Sequence, residues 1–113
     1  MEKKFGQSNL IDLHKLIDST KEKWINMNLT EVNDCIIRLG IVEGEFHWHK
    51  HNEEDEFFFV VDGKLLLDLE NETIELSSGQ GYTVPRSTIH RTRAKEKTVM
   101  LMVEKSTVNP KGD

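Results

Sequence analysis

Cysteine is nearly absent from this chain: its 113 residues include one, Cys35. No intrachain disulfide can form, which fits a reducing compartment and sets the expectation of a cytoplasmic protein. Long apolar runs are missing too. No stretch approaches the roughly 18 residues that a membrane-spanning helix needs, so no membrane partner is expected. The lysines of Met1-Glu2-Lys3-Lys4-Phe5-Gly6-Gln7 are followed by no apolar h-region, and no secretory signal is read there. Positive charge is in deficit, with 15 Lys and Arg against 20 Asp and Glu and a formal net charge of −5. A net acidic surface gains nothing from a polyanion, so no nucleic-acid partner is expected. Neither an internal repeat nor a low-complexity tract is present.

What remains is an ordinary globular composition, 36% hydrophobic and 31% charged. The length fits one domain, which buries roughly 65% of its unfolded surface without staples. Leu10, Ile11, Leu13, Leu16 and Ile17 recur at three- and four-residue spacing, predicting one short amphipathic helix within Asn9–Ser19, capped by Ser8 or Asn9. From Trp24 onward the pattern changes to short apolar stretches broken by turn residues. Strands are predicted at Lys23–Thr30, Cys35–Ile41, Phe46–His51, Phe57–Val61, Lys64–Leu69, Thr73–Leu76, Gly81–Val84, Ile89–Arg93 and Thr98–Glu104. Asp62-Gly63 between two apolar runs predicts a hairpin. Strands this short and this regularly spaced argue for an all-β sandwich or barrel. The boundaries are drawn at 1–22 for a leader with its helix, 23–105 for the barrel and 106–113 for an irregular tail.

Side-chain alternation sorts the strands into faces. His47, His49 and His51 share one face of an extended strand, with His49 and His51 about 6.6 Å apart along it. With Glu56 on the inner face, Phe58 and Val60 follow it inward, and Phe57, Phe59 and Val61 point out. Such an outward apolar strip on a small protein predicts a homodimer. Cys35, Ile37, Leu39 and Ile41 form one apolar face, leaving Arg38 on the other. Together with Leu65, Leu67 and Leu69 and with Val99, Leu101 and Val103, that face is taken as a greasy inner wall. Arg91 and Arg93 are turned outward. The acidic run Glu53-Glu54-Asp55 reads as a solvated loop.

Two motifs then carry a family resemblance. His49-Lys50-His51, four residues, Glu56, six residues and Gly63 resemble the first motif of the cupin superfamily. Gly79, five residues, Pro85, four residues and His90 resemble its second. The match is to small single-domain cupins of the cupin_2 type. Their frequent mannose-6-phosphate-isomerase-like label is not carried over. Three positions depart from the pattern, one of them Ala94, where the second motif ends in asparagine. Glu43 stands where the first motif opens with glycine, with Gly44 one step later, and Ser87 replaces a glycine of the second.

The resemblance implies an all-β cupin double-stranded β-helix (a jelly-roll barrel) with the short N-terminal helix added. It also implies one divalent metal ion (Fe, Mn, Ni, Zn, Cu or Co) held by His49, His51, Glu56 and His90. Three imidazoles and a carboxylate suit a borderline divalent ion, and an octahedral one would keep two positions open. Tyr82 and His47 are pocket candidates. The expected function is a metal-dependent enzyme, of dioxygenase or isomerase type, acting on a small metal-chelating substrate. The alternative is a non-catalytic module that binds or senses a small ligand.

Overall fold

The computed structural model describes residues 3–113. One helix, α1 (Leu13–Asp18), precedes seven strands: β1 (Ile25–Val32), β2 (Cys35–Glu45), β3 (Glu56–Asp62), β4 (Lys64–Leu69), β5 (Thr73–Ser77), β6 (Gly81–Val84) and β7 (His90–Lys105). The expected all-β barrel with a short N-terminal helix is what forms. The helix starts later than expected. Ser8 sits in the left-handed region at φ 70°, and Asn9 N–H donates to the Gly6 carbonyl, so these residues make a turn. Asp12 caps α1 instead, its carboxylate accepting from the Lys15 N–H at 3.3 Å.

All the strand pairs are antiparallel, and β7 organises them. Its far half, Thr98–Lys105, lies between β2 and β3, and its first residues, His90–Arg93, pair with β4. The two short strands expected here are therefore one bent strand that runs through both halves of the barrel. Asp62-Gly63 does turn the chain, but it closes no hairpin. Beyond it, β3 and β4 lie one after the other along β7, and their remaining partners are β6 and β5. The Thr98 hydroxyl secures this corner by accepting from the Lys64 N–H at 3.1 Å. Phe46–His51, expected as a strand, is extended but has no continuous ladder. It meets β7 through the Phe46 N–H on the Thr92 carbonyl and a single bridge between His49 and His90.

Two cores result. The barrel interior holds Val42, Phe58, Val60, Leu65, Leu67, Leu76, Val84, Ala94, Met100 and Met102. The second core lies outside the sheet. There Leu29, Leu39, Ile41 and Val99 are covered by Phe5, Ile11, Leu13, Leu16 and Ile17 of the leader. This corrects part of the expected inner wall: Leu65 and Leu67 do lie in the interior, but the β2 and β7 residues expected there do not. Ile37, Leu39, Ile41, Val99 and Leu101 belong to the outer core, and the opposite parity, with Arg38, Val42, Met100 and Met102, faces the interior. Both faces of these strands are apolar, so alternation alone could not say which was inside. Val61 also packs into the outer core, which leaves Phe57 and Phe59 in neither cluster.

Candidate metal centre

Three pieces of chain converge at one end of the barrel. Glu56 opens β3, His90 opens β7, and the extended Phe46–His51 segment lies beside them. Reciprocal hydrogen bonds of 2.9 Å between the His49 and His90 backbones set the two imidazoles 4.4 Å apart, centroid to centroid. His49 and His51 rings lie 5.0 Å apart. The Glu56 Oε1 sits 3.1 Å from His90 Nε2 and 3.4 Å from His51 Nε2. One ligand atom from each of His49, His51, Glu56 and His90 falls within 4.8 Å of every other, so this group could hold a metal ion.

The ring tautomers fit that use. Thr88 and His47 carbonyls take the Nδ1–H of His90 and His49, at 2.8 and 2.9 Å, which turns both Nε2 atoms toward the group; the His49 Nε2 is free and the His90 Nε2 meets Glu56 Oε1 at 3.1 Å. His51 is buried and neither ring nitrogen has a hydrogen-bond partner. Its Nε2 is close enough to Glu56 for an ion pair but not aligned for a hydrogen bond. A buried orphan of this kind is costly without a partner, and a metal ion would supply one. Burial pushes the His49 imidazole down to about 4, keeping it neutral and able to ligate near neutral pH. Burial alone would lower His51, but the adjacent Glu56 carboxylate and the charges of Asp113 and Glu54 outweigh it and raise it.

Behind the ligands lies a polar layer that strand alternation did not reveal. Glu104 faces Glu56 across the β3–β7 ladder, and Arg38 donates from Nη1 to Glu104 Oε1 at 2.7 Å. The same guanidinium donates from Nε to Asn28 Oδ1 at 3.1 Å. Arg38 and Glu104 are both buried. Burial and the facing Glu56 carboxylate push Glu104 up, against the pull of Arg38. Burial would raise Glu56 as well, but its contacts with His51, His90 and Glu104 outweigh that and hold it low. The Glu104 Oε2 has no hydrogen-bond partner among the described residues. A charge inside each of two apolar strands, Arg38 in Ile36–Val42 and Glu104 in Val99–Lys105, was the available signal.

A narrow cavity of about 20 Å³ reaches this cluster, lined by His49, Glu56, Arg38, Phe58, Met100 and Met102. Trp24 and Phe46, stacked at 5.7 Å, and Pro110 also line it. A larger surface depression around Lys64, Glu75 and Lys95 contains none of the four ligand residues.

The remaining sequence candidates fall elsewhere. His47 is exposed and its Nε2 hydrogen-bonds the Lys111 carbonyl at 2.6 Å, so it holds the tail and does not enter the cavity. Tyr82 packs against the interior core, with no hydrogen bond to the ligand group among the described residues. The tail is irregular, as expected, but anchored. Asp113 N–H donates to the Lys50 carbonyl, the Asn52 N–H donates to the Asp113 carboxylate, and Gly112 lies directly against His49. The acidic run is only partly solvated. Glu54 is buried and takes the Thr107 hydroxyl at 2.9 Å, and Asp55 takes the Arg86 N–H at 2.8 Å. Arg91 and Arg93 do point outward, where both bind Asp68.

Two of the motif departures have structural answers. β2 carries a register shift between Val42 and Gly44, and Gly44 adopts φ +113°. The displaced glycine is thus absorbed by a bulge. Ser87 stands at φ 66°, a conformation suited to the glycine it replaces, and its N–H donates to the His51 carbonyl at 2.7 Å.

Fold and cluster together define a small barrel with a candidate metal centre, and comparison with known proteins agrees on the fold. The cupin domain family model matches residues 38–104. The chain is 40% identical over 98 residues to the uncharacterized protein YdbB of Bacillus subtilis, covering 86% of this chain and 87% of that one. Among solved structures, a cupin-2 domain containing protein from Shewanella frigidimarina superposes with a TM-score of 0.80 at 31% identity, covering 85% of this chain and 94% of that one. Protein NMB1881 from Neisseria meningitidis shares the fold, with a TM-score of 0.76, 24% identity and coverage of 87% of this chain and 100% of that one. This chain belongs to the cupin family. Among the described residues, no helix is long and apolar enough to cross a membrane.

Proposed function

We propose that the chain holds one divalent metal ion through His49, His51, Glu56 and His90, and acts as a metal-dependent enzyme of the dioxygenase or isomerase type on a small metal-chelating substrate. The observation that carries the proposal is His51, buried with both ring nitrogens unpartnered beside the Glu56 carboxylate. A bound ion of this class polarises a substrate oxygen, acidifies a bound water or, if redox-active, activates dioxygen. The protein's part is positioning and exclusion of water. Thr88 and His47 carbonyls fix two imidazole tautomers, Glu104 orients Glu56 from behind, and Phe58, Met100 and Met102 keep the cavity dry.

Elemental analysis of the protein beside His49→Ala and His90→Ala tests this. About one equivalent of a first-row ion in the wild type, lost in both variants, is the expected result. No metal after loading would overturn the ligand assignment. Turnover across a panel of diketones, thiols and catechols then separates the enzyme from a binding module. The same reading includes a homodimer, formed through the outward Phe57 and Phe59 of β3, whose rings stack at 6.5 Å.

A further inference from the structure

Besides the ligand set, the narrow cavity has one charged side chain on its wall, Arg38. Burying a guanidinium is expensive, and at 4% exposure Arg38 must be satisfied. Two of its edges are. Nε donates to Asn28 and Nη1 to Glu104, while Nη2 has no hydrogen-bond partner among the described residues. The Asn28 and Glu104 contacts hold the fork rigidly, so little side-chain entropy is left to lose when a ligand binds. Charge points the same way. Even with Glu56 and Glu104 both ionised, Arg38 and a divalent ion leave the inner cavity with a net single positive charge, matched by a monoanion.

We propose that Arg38 is the specificity-determining residue of this site, and that it selects a small carboxylate whose second oxygen binds the metal. The free guanidinium edge takes the carboxylate, and the metal takes the neighbouring hydroxyl or carbonyl oxygen. At about 20 Å³ the cavity is water-sized as it stands, so the ligand has few heavy atoms and side chains of the wall shift to admit it. This rests on the metal reading above and adds the substrate class to it. It also replaces the expectation of a greasy inner wall on β2, which placed Arg38 on the opposite side.

The test uses cobalt(II)-loaded protein, with cobalt content measured first. Glycolate and glycolamide are nearly isosteric two-oxygen ligands that differ in charge, and their binding is followed by calorimetry and by the cobalt visible spectrum. Wild type should prefer glycolate by roughly tenfold to a hundredfold, the worth of a charge-assisted hydrogen bond. Arg38→Gln should abolish that preference while leaving glycolamide affinity and cobalt content unchanged. Arg38→Lys should keep part of it. Arg38→Gln/Glu104→Gln removes both buried charges together and serves if the single variant fails to fold. A glycolate preference that survives in these variants would come from the metal alone and would overturn the inference. Equal loss of both ligands would show a merely structural role and would overturn it too. Failure of wild type to bind either ligand, with cobalt in place, sinks the carboxylate and leaves the metal site standing. Absence of cobalt sinks both.

Discussion

Ser87 shows how one residue can sit against its own preference. Its φ of 66° places a side chain where glycine is at ease, and the strain is retained because its N–H ties the loop before β7 to the His51 carbonyl. Ser87→Gly relieves that strain at the cost of a more flexible unfolded chain, for a net gain of roughly 0.5–1 kcal/mol. Thermal melting should show a higher Tm with metal content unchanged. Asp68 is the opposite case, a residue held by everything around it. Its carboxylate accepts from Arg93 at 2.7 and 3.1 Å, from Thr73 at 2.6 Å and from Arg91 at 2.8 Å. Those partners, Arg93 first, depress it below its usual 3.8. A carboxylate lowered on folding adds stability at pH values above its unfolded range, and the contribution disappears as pH falls below about 4. Asp68→Asn should therefore destabilise by about 1–3 kcal/mol near neutral pH. The gap to wild type should narrow in acid. A gap that stayed constant across melts from neutral to acid pH would show that the charge is irrelevant.

At the scale of elements, the ligand-bearing segment Phe46–His51 is held by its neighbours, not by a ladder of its own. Two kinds of contact hold it: the bridge to β7 and the tail laid across it. Gly112 touches His49 so closely that an added Cβ would stand 2.6 Å from the His49 Cβ, and its φ of +94° disfavours any side chain. Gly112→Val should lift the tail from His49. The expected result is metal release to a chelator at least several-fold faster, because the local opening that exposes the site becomes easier. Global stability should fall far less, since residues 106–113 form no helix or strand and, apart from Val108, contribute no buried apolar side chain. Unchanged release kinetics would show that the tail does not control access. The long bent strand β7 is the complementary element. It supplies His90 at one end and Glu104 at the other, so the site's inner and outer polar layers share one rigid support.

For the whole molecule, the leader settles which surface is left over. It covers the outer face of β1 and β2 and also takes in Val61, so the strip expected to mediate dimerisation shrinks to Phe57 and Phe59. Sedimentation or light scattering should return twice the 13.1 kDa chain mass. Phe57→Ser/Phe59→Ser should shift it to the monomer with the metal site intact, since both side chains point away from the cavity. A wild-type monomer would refute the dimer outright.

Much of this protein was legible in its sequence. The resemblance of its two motifs to the cupin pattern picked out His49, His51, Glu56 and His90, which the fold brings together as a group that could hold a metal ion. Strand alternation placed Glu56, Phe58 and Val60 together, and put Arg91 and Arg93 outside, because period two is a local property of extended backbone. The side of β2 that faces the interior was not local. Both its faces are apolar, and the choice was made by the leader's Phe5, Ile11 and Leu16 packing on one of them. Arg38 and Glu104 became neighbours only through that choice. Sixty-six residues separate them in the chain, and the antiparallel register of β2, β7 and β3 brings their charges to 2.7 Å, directly behind the candidate metal centre.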